Sequence, residues 1–427
     1  MRHPALFQSI RLDRLAFVAV LILAAGTSNL RSMVSWDLYP VGQKFSAQAW
    51  LEMWGWWMAT LLVLWLLMRE GRVAEYLDGW QRQPVLMAFL AVCAASVLWS
   101  VHPLVTAFRL AGLLCATAVA AYLGMRCRTP DLLRGLAWIC AVVVVYSAWM
   151  ALTDPLLGKQ RFYGPDVWRG IFWNKNHLGS VAALCSAVLL LRIIDLRASR
   201  AGLERLLFAC SYMLALLAVY KSRSGTGGLV ALILHLLVVL ALLWLRFGAG
   251  VRRGHSLLLG AGALLVAAIA FANVEFIFGL VNKNLALSGR WDLWNYLLWD
   301  VIPAHMLLGQ GFGALWGDPG FRALAAVPLG MVPLIGDNGF IDIALGVGVI
   351  GLGVFLVVYY RAWVGAFGLF TRERSVAGIL PPVIMCASLF SNLGFSLLME
   401  IEVFYLGLIV VVLFSTAAST VQRDAGR

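Results

Sequence analysis

Five short clusters of polar and small residues interrupt an otherwise apolar chain, and their side chains are of the kinds that hold anions and move protons. The first is Leu98-Trp99-Ser100-Val101-His102-Pro103, with Arg109 about two turns beyond it. Arg109 admits two readings: a guanidinium snorkelling to the nearer interface, or one turned into a cavity between helices. The second cluster, residues 163–179, alternates aromatic rings with Arg169 and Lys175 and contains Asn174-Lys175-Asn176-His177. An interfacial aromatic belt accounts for Trp168 and Trp173. It does not account for four polar groups at a helix entrance, where unpaired N–H groups also favour an anion. In the third, Lys221-Ser222-Arg223-Ser224-Gly225-Thr226-Gly227-Gly228, small residues and a guanidinium precede a helix. This suits a phosphate cradle or a plain turn; it is not a P-loop, which needs a preceding strand and a different glycine spacing.

The fourth cluster centres on Arg290. Trp291, Trp294 and Leu298 recur at helical spacing, which predicts a helix lying on the membrane surface with Arg290 at its start. A cation at a helix N-terminus works against the helix dipole, so Arg290 reads as functional. Gly309-Gln310-Gly311-Phe312-Gly313 follows as a flexible turn. The fifth cluster opens with Asp337 and Asn338, which read as an N-cap although that role justifies only one of them. Asp342 lies more than a turn into an apolar stretch and should face a partner or a wet cavity. Gly346, Gly348, Gly351 and Gly353 permit close helix approach. Glu400 and Glu402 add two carboxylates on the same side.

The elements that must position these groups are membrane helices. The chain is 62% hydrophobic and 13% charged, with mean hydropathy +0.86, which excludes a soluble globular domain. Apolar runs near 14–27, 49–68, 84–100, 104–124, 131–152, 177–195, 203–220, 226–246, 255–278, 338–364, 376–397 and 402–420 predict twelve spans of about 20 residues. With the N-terminus in the cytoplasm, most of the 33 basic residues fall in short cytoplasmic loops, so the positive-inside rule puts both termini inside. The net charge of +12 therefore reports topology, and no nucleic acid partner is expected. All five clusters then face outward, on loops 153–176 and 273–337 and at the neighbouring helix ends. No cleavable signal peptide is recognised, and residues 1–427 read as one integral membrane domain. The seven cysteines show no CxxC or ligand spacing, so neither a disulfide framework nor a metal site is expected.

Taken in order, these segments carry a recognisable pattern: an SxxP turn, Arg-Gly-x-Phe-x-Asn-Lys-Asn-His-x-Gly (169–179), Ser-Arg-Ser-Gly (222–225), Ser-Gly-Arg-x-x-x-Trp (288–294), Gly-x-Gly-Phe-Gly (309–313) and Asp-Asn-Gly-Phe-x-Asp-x-x-Leu-x-x-Gly-x-x-Gly-Leu (337–352). The chain resembles the O-antigen ligase/polymerase superfamily, above all its exopolysaccharide polymerases. The resemblance implies an all-α, polytopic, GT-C-type glycosyltransferase of the bacterial inner membrane, working at its periplasmic face without metal or other cofactor. The implied donor is an undecaprenyl-diphosphate-linked oligosaccharide and the implied acceptor a glycan hydroxyl; the bilayer and polysaccharide assembly proteins are the other expected partners. The resemblance assigns the donor diphosphate to Arg223 and Arg290. It also implies a catalytic histidine at the start of the span after the large loop, where this chain has Asp337. That departure favours a polymerase over a ligase acting on lipid A core.

The residue types suit this chemistry on their own terms. Guanidiniums stabilise the charge that develops on a departing diphosphate, and a carboxylate can take the acceptor proton. Arg223 and Arg290 come first in the cationic role, then Arg169 and Lys175; Asp337 is the expected base, with Glu400 behind it. Asn174, Asn176, His177, Ser222, Ser224, Asn338 and Arg109 are expected to line the substrate. A transporter of lipid-linked glycans is the rival reading, but transporters gather polar groups at the midplane within symmetric halves. A scaffold role would not call for five polar clusters.

Overall fold

A computed structural model describes residues 47–161, 164–198, 201–247, 290–330, 332–398 and 404–425. The expected spans 14–27 and 255–278 and the candidate Glu400 lie outside these residues. The described residues are helical and contain no named strand; a lone antiparallel bridge joins Lys159 to Trp168. In chain order the helices are α1 (Ala47–Glu70), α2 (Val73–Gln81), α3 (Pro84–Ala95, continued as a 3-10 turn Ser96–Trp99), α4 (Pro103–Arg126), α5 (Thr129–Thr153), α6 (Lys175–Asp195), α7 (Gly202–Ser222) and α8 (Gly225–Phe247). They continue with α9 (Arg290–Tyr296), α10 (Pro319–Leu329), α11 (Gly339–Glu373), α12 (Leu380–Asn392) and α13 (Phe404–Ala425).

Among the described residues, α4, α5, α6, α7, α8 and α11 are each long and apolar enough to cross a membrane. This is a polytopic membrane protein. The other expected spans take different forms. α1 covers 49–68, but 84–100 is a short helix meeting α2 at an 85° bend, so the expected cytoplasmic loop 69–83 is itself largely helix. The stretches 376–397 and 402–420 contain shorter apolar helices, Ala377–Asn392 and Tyr405–Ala417.

Helix α6 is the axle of the bundle, packed by α5, α7, α8 and α12. Its small residues explain the closeness: a Cβ on Gly227 of α8 would lie 2.6 Å from the carbonyl carbon of Gly179. Neither helix could approach so closely with larger side chains at that crossing. The helix ends sort into two groups. At one end Arg192 of α6 pairs with Asp195 and Glu204, and Thr129 of α5 donates to Glu373 of α11. At the other end Lys175, Arg290 and Asp337 come together.

Helix α11 is broken. Gly348 has φ 68° and ψ −175°, which interrupts the helical ladder and leaves polar backbone groups in an apolar run. Such groups must find partners inside the protein. Segment 306–313 supplies them: the N–H groups of Gln310 and Gly311 donate to the carbonyls of Leu345 and Gly346, while those of Val349 and Ile350 donate to the carbonyls of Met306 and Leu307. Gly309 fits here because a Cβ would meet the Gly346 and Gly348 backbone at 2.6 Å. The expected flexible turn 309–313 is thus pinned on both sides. Gly346 and Gly348 admit a loop where helix packing was expected; Gly351 does meet α3, near Val92, and Gly353 opens onto space. Nearby, the side chain of Arg109 packs over Gly313, so the arginine leans on this loop.

Candidate active site

Asp337 sits in the turn just before α11, with its backbone in the left-handed region at φ 48°. Aspartate tolerates that region better than most residues, though it still favours asparagine or glycine. One Asp337 oxygen lies 3.3 Å from Nε of Arg290, the residue from which α9 is described. The Arg290 side chain is 11% exposed and that of Asp337 27%, so the pair faces an opening rather than lying sealed in the core. Only Nε meets the carboxylate; Nη1 reaches Thr226 Oγ1 at 3.4 Å. This is not the two-pronged fork that would commit the whole guanidinium to Asp337. Burial pushes the Asp337 carboxyl above the ordinary carboxylate value, while the charges of Arg290 and Lys175 pull it back.

Lys175 begins α6 and is buried. Its backbone N–H donates to Gln160 and its Nζ lies 3.3 Å from the carbonyl of Arg223. Arg223 closes α7 in the left-handed conformation, φ 48°, with its side chain exposed and passing beside Gly164. A second contact steadies the same turn from loop 154–174. Asp166 accepts from Lys221 and, at 3.0 Å, from Lys159, and the Trp168 N–H donates to the Lys221 carbonyl at 3.0 Å. Hydrogen bonds from Lys221 first, then Lys159, hold the Asp166 carboxyl down to about 2.

The remaining expected site residues divide by what they touch. Asn174 is the N-cap of α6, accepting from the Asn176 N–H at 2.7 Å, and Asn338 is the N-cap of α11, accepting from Phe340 and Ile341. The cap at α11 therefore belongs to Asn338 alone, and Asp337 is left for another use. Ser224 accepts from the Gly227 N–H and so starts α8, while Ser222 is buried and donates to the Val219 carbonyl. Arg169 spreads its guanidinium over the carbonyls of Leu157, Trp173 and Leu156, which fixes the loop ahead of α6. Its pKa is lowered by burial, with Asp154 opposing. His177 is buried between the rings of Phe172 and Phe395, with centroids at 4.5 and 6.0 Å. The group brought together around the opening is Arg290, Asp337, Lys175 and the Arg223 turn.

Several contributors gave no distinct signal in the sequence. Thr226 touches Arg290, Gln160 anchors the start of α6, and Ser396 accepts from the Asn338 N–H at 3.0 Å. Trp294 did stand out, as part of a membrane-facing stripe. Instead it turns inward, its indole N–H donating to the Gly336 carbonyl at 2.9 Å, while Trp291 and Leu298 stay exposed.

Arg290, Lys175, Asp337 and the backbone turn at Arg223, carried by separate helix ends of an apolar bundle, define a membrane protein with a charged cluster at one end. No family model matches the chain. It is similar to the exopolysaccharide production protein ExoQ of Rhizobium meliloti (strain 1021), with 27% identity over 346 residues that cover 77% of this chain and 73% of that protein. The similarity supports the exopolysaccharide side of the expected resemblance.

Proposed function

We propose that the protein is a polysaccharide polymerase of the bacterial inner membrane that transfers an undecaprenyl-diphosphate-linked glycan to an acceptor sugar hydroxyl at the periplasmic face. The observation that carries this reading is the meeting of Arg290, Lys175 and the Arg223 turn around Asp337, contributed by four separate segments of the chain. In the proposed reaction the acceptor oxygen attacks the anomeric carbon and the bond from that carbon to the diphosphate oxygen breaks. The departing undecaprenyl diphosphate keeps the electron pair, and Arg290, Arg223 and Lys175 offset its charge. Asp337 takes the hydroxyl proton, a role suited to a carboxylate whose burial makes it more basic than usual.

The test is reconstitution: purified protein, a defined lipid-linked repeat unit, and separate measurement of oligomer formation and of transfer to lipid A core. Oligomers are expected. Transfer to lipid A core alone would make the protein a ligase, and movement of the donor across a vesicle membrane without new glycosidic bonds would make it a transporter.

A further inference from the structure

Asp342 is a buried carboxylate that the proposed reaction does not use, and its bonds run to the segment that carries Asp337. One Asp342 oxygen accepts from the indole N–H of Trp316 at 2.8 Å and from the backbone N–H of Gly336 at 3.2 Å. The other side of Gly336 is fixed as well, since Trp294 holds its carbonyl at 2.9 Å. Beyond Asp337, the Asn338 N–H is held by Ser396 at 3.0 Å and the Asn338 side chain is spent on its cap. A Cβ on Gly336 would run into the Asp342 carboxylate and have to displace it. Both peptide groups flanking Asp337 are thus held, and between them Asp337 occupies the left-handed region at φ 48°. A strained conformer of this kind persists only where its surroundings over-determine it.

We propose that Asp342 is the positioning residue of the site: by gripping Gly336 it keeps Asp337 left-handed and its carboxylate turned toward Arg290. Asp342 has no direct bond to Arg290 or to the pocket's other cations, and acts through the backbone. The inference rests on the catalytic reading of Asp337, so its test includes a readout that needs no catalysis.

That readout is a thiol at the site, introduced as Asp337→Cys in protein lacking the seven native cysteines. Alkylation by iodoacetamide is followed against pH. The charged groups facing this position are Arg290 from α9, Lys175 from α6 and Asp342 from α11. Near the two cations the thiol should titrate below the ordinary value of about 8.5. Adding Asp342→Asn removes a negative charge but keeps an acceptor oxygen, so the midpoint should stay or fall. Adding Asp342→Leu removes the acceptor; the thiol should swing from Arg290 and the midpoint should rise by about one unit relative to the asparagine variant. Equal midpoints in the two folded variants would overturn the proposal. Should the leucine variant fail to fold, the smaller Asp342→Ala removes the same acceptor and should raise the midpoint likewise; a midpoint there equal to that of the asparagine variant would also overturn it. With Asp337 restored, Asp342→Leu should lower kcat about tenfold or more at little-changed donor KM, and Asp342→Asn should restore turnover. If the parent protein forms no oligomers, the proposed function fails, and the thiol titration still decides the positioning role.

Discussion

Asp337 and Asn338 are neighbours with separable jobs, and two substitutions pull them apart. Asp337→Asn keeps a residue that tolerates the left-handed region and leaves the cap untouched. It should lower polymerisation by roughly 10²-fold or more, the usual contribution of a placed base, with donor binding little changed. Asn338→Ala should instead cost about 1 kcal/mol of stability by removing the acceptor for Phe340 and Ile341, and should reduce turnover less. A polymerisation assay beside a thermal unfolding curve checks both. Arg290→Lys keeps the charge but cannot span Asp337 and Thr226 together, so it should abolish turnover in protein that still inserts. Acidification offers another residue-scale test. A base works deprotonated, and burial raises Asp337 above its ordinary 3.8, so activity should fall with decreasing pH through an apparent pKa above 3.8. Asp166 titrates in the opposite direction from 3.8, near 2; what its ion pairs contribute to stability is present above 3.8 and lost only as pH falls through about 2. A pH–rate profile of Asp166→Asn should therefore keep the same acid limb. At this scale the sequence was informative about residue type. Lys175, Arg223, Arg290 and Asp337 stood out because an apolar chain has little other use for them. Thr226, Gln160 and Ser396 were not legible, since a hydroxyl or amide in a loop looks the same whether or not it touches a guanidinium.

At the scale of elements, the hydropathy pattern located the helices but not their interruptions. Helix α11 reads as one long apolar run, and at ~1.5 Å per residue its 35 residues would reach about 50 Å, well beyond a hydrocarbon core of roughly 30 Å. That excess length emerges only in the structure, since the span expected from the sequence, 338–364, stops short of it. Four nearby glycines, at 346, 348, 351 and 353, all looked like packing positions. Only the return of segment 306–313 distinguishes Gly348, which bears the positive φ, from Gly353, which has open space about it. Gly348→Ala should lower thermal stability by about 1–3 kcal/mol, because the added Cβ meets the Leu307 carbonyl and the backbone is left-handed. Gly353→Ala, at a position with no such neighbour, should be neutral or slightly stabilising. The inward turn of Trp294 escaped sequence reading for a related reason: period 3.6 tells which residues share a face, not what that face meets.

The whole molecule poses the question of sidedness. Charge bias in the loops predicts that Arg169, Lys175, Arg223, Arg290 and Asp337 share the periplasmic side. Cysteines placed singly at the exposed positions 223 and 291 should react with an impermeant thiol reagent in intact spheroplasts; reaction only after permeabilisation would reverse the proposed orientation. The bundle's end-to-end polarity was legible because basic loops and polar clusters alternate along most of the chain. Its internal arrangement around α6 was not, because small residues permit close packing with any neighbour.

The break in α11 also bears on how the protein is made. The four backbone groups on either side of Gly348 take their partners from residues 306–313, which leave the ribosome before α11 does. A lone α11 emerging into lipid has no such partners, and an unpaired carbonyl or N–H there costs several kcal/mol, so a newly inserted α11 should be a continuous helix. The kink should therefore be acquired late, when the preceding loop folds back onto the inserted span. A synthetic peptide of residues 339–373 in lipid vesicles should accordingly show an uninterrupted hydrogen-exchange protection pattern through Val349 and Ile350, the helix healing itself in the absence of the loop.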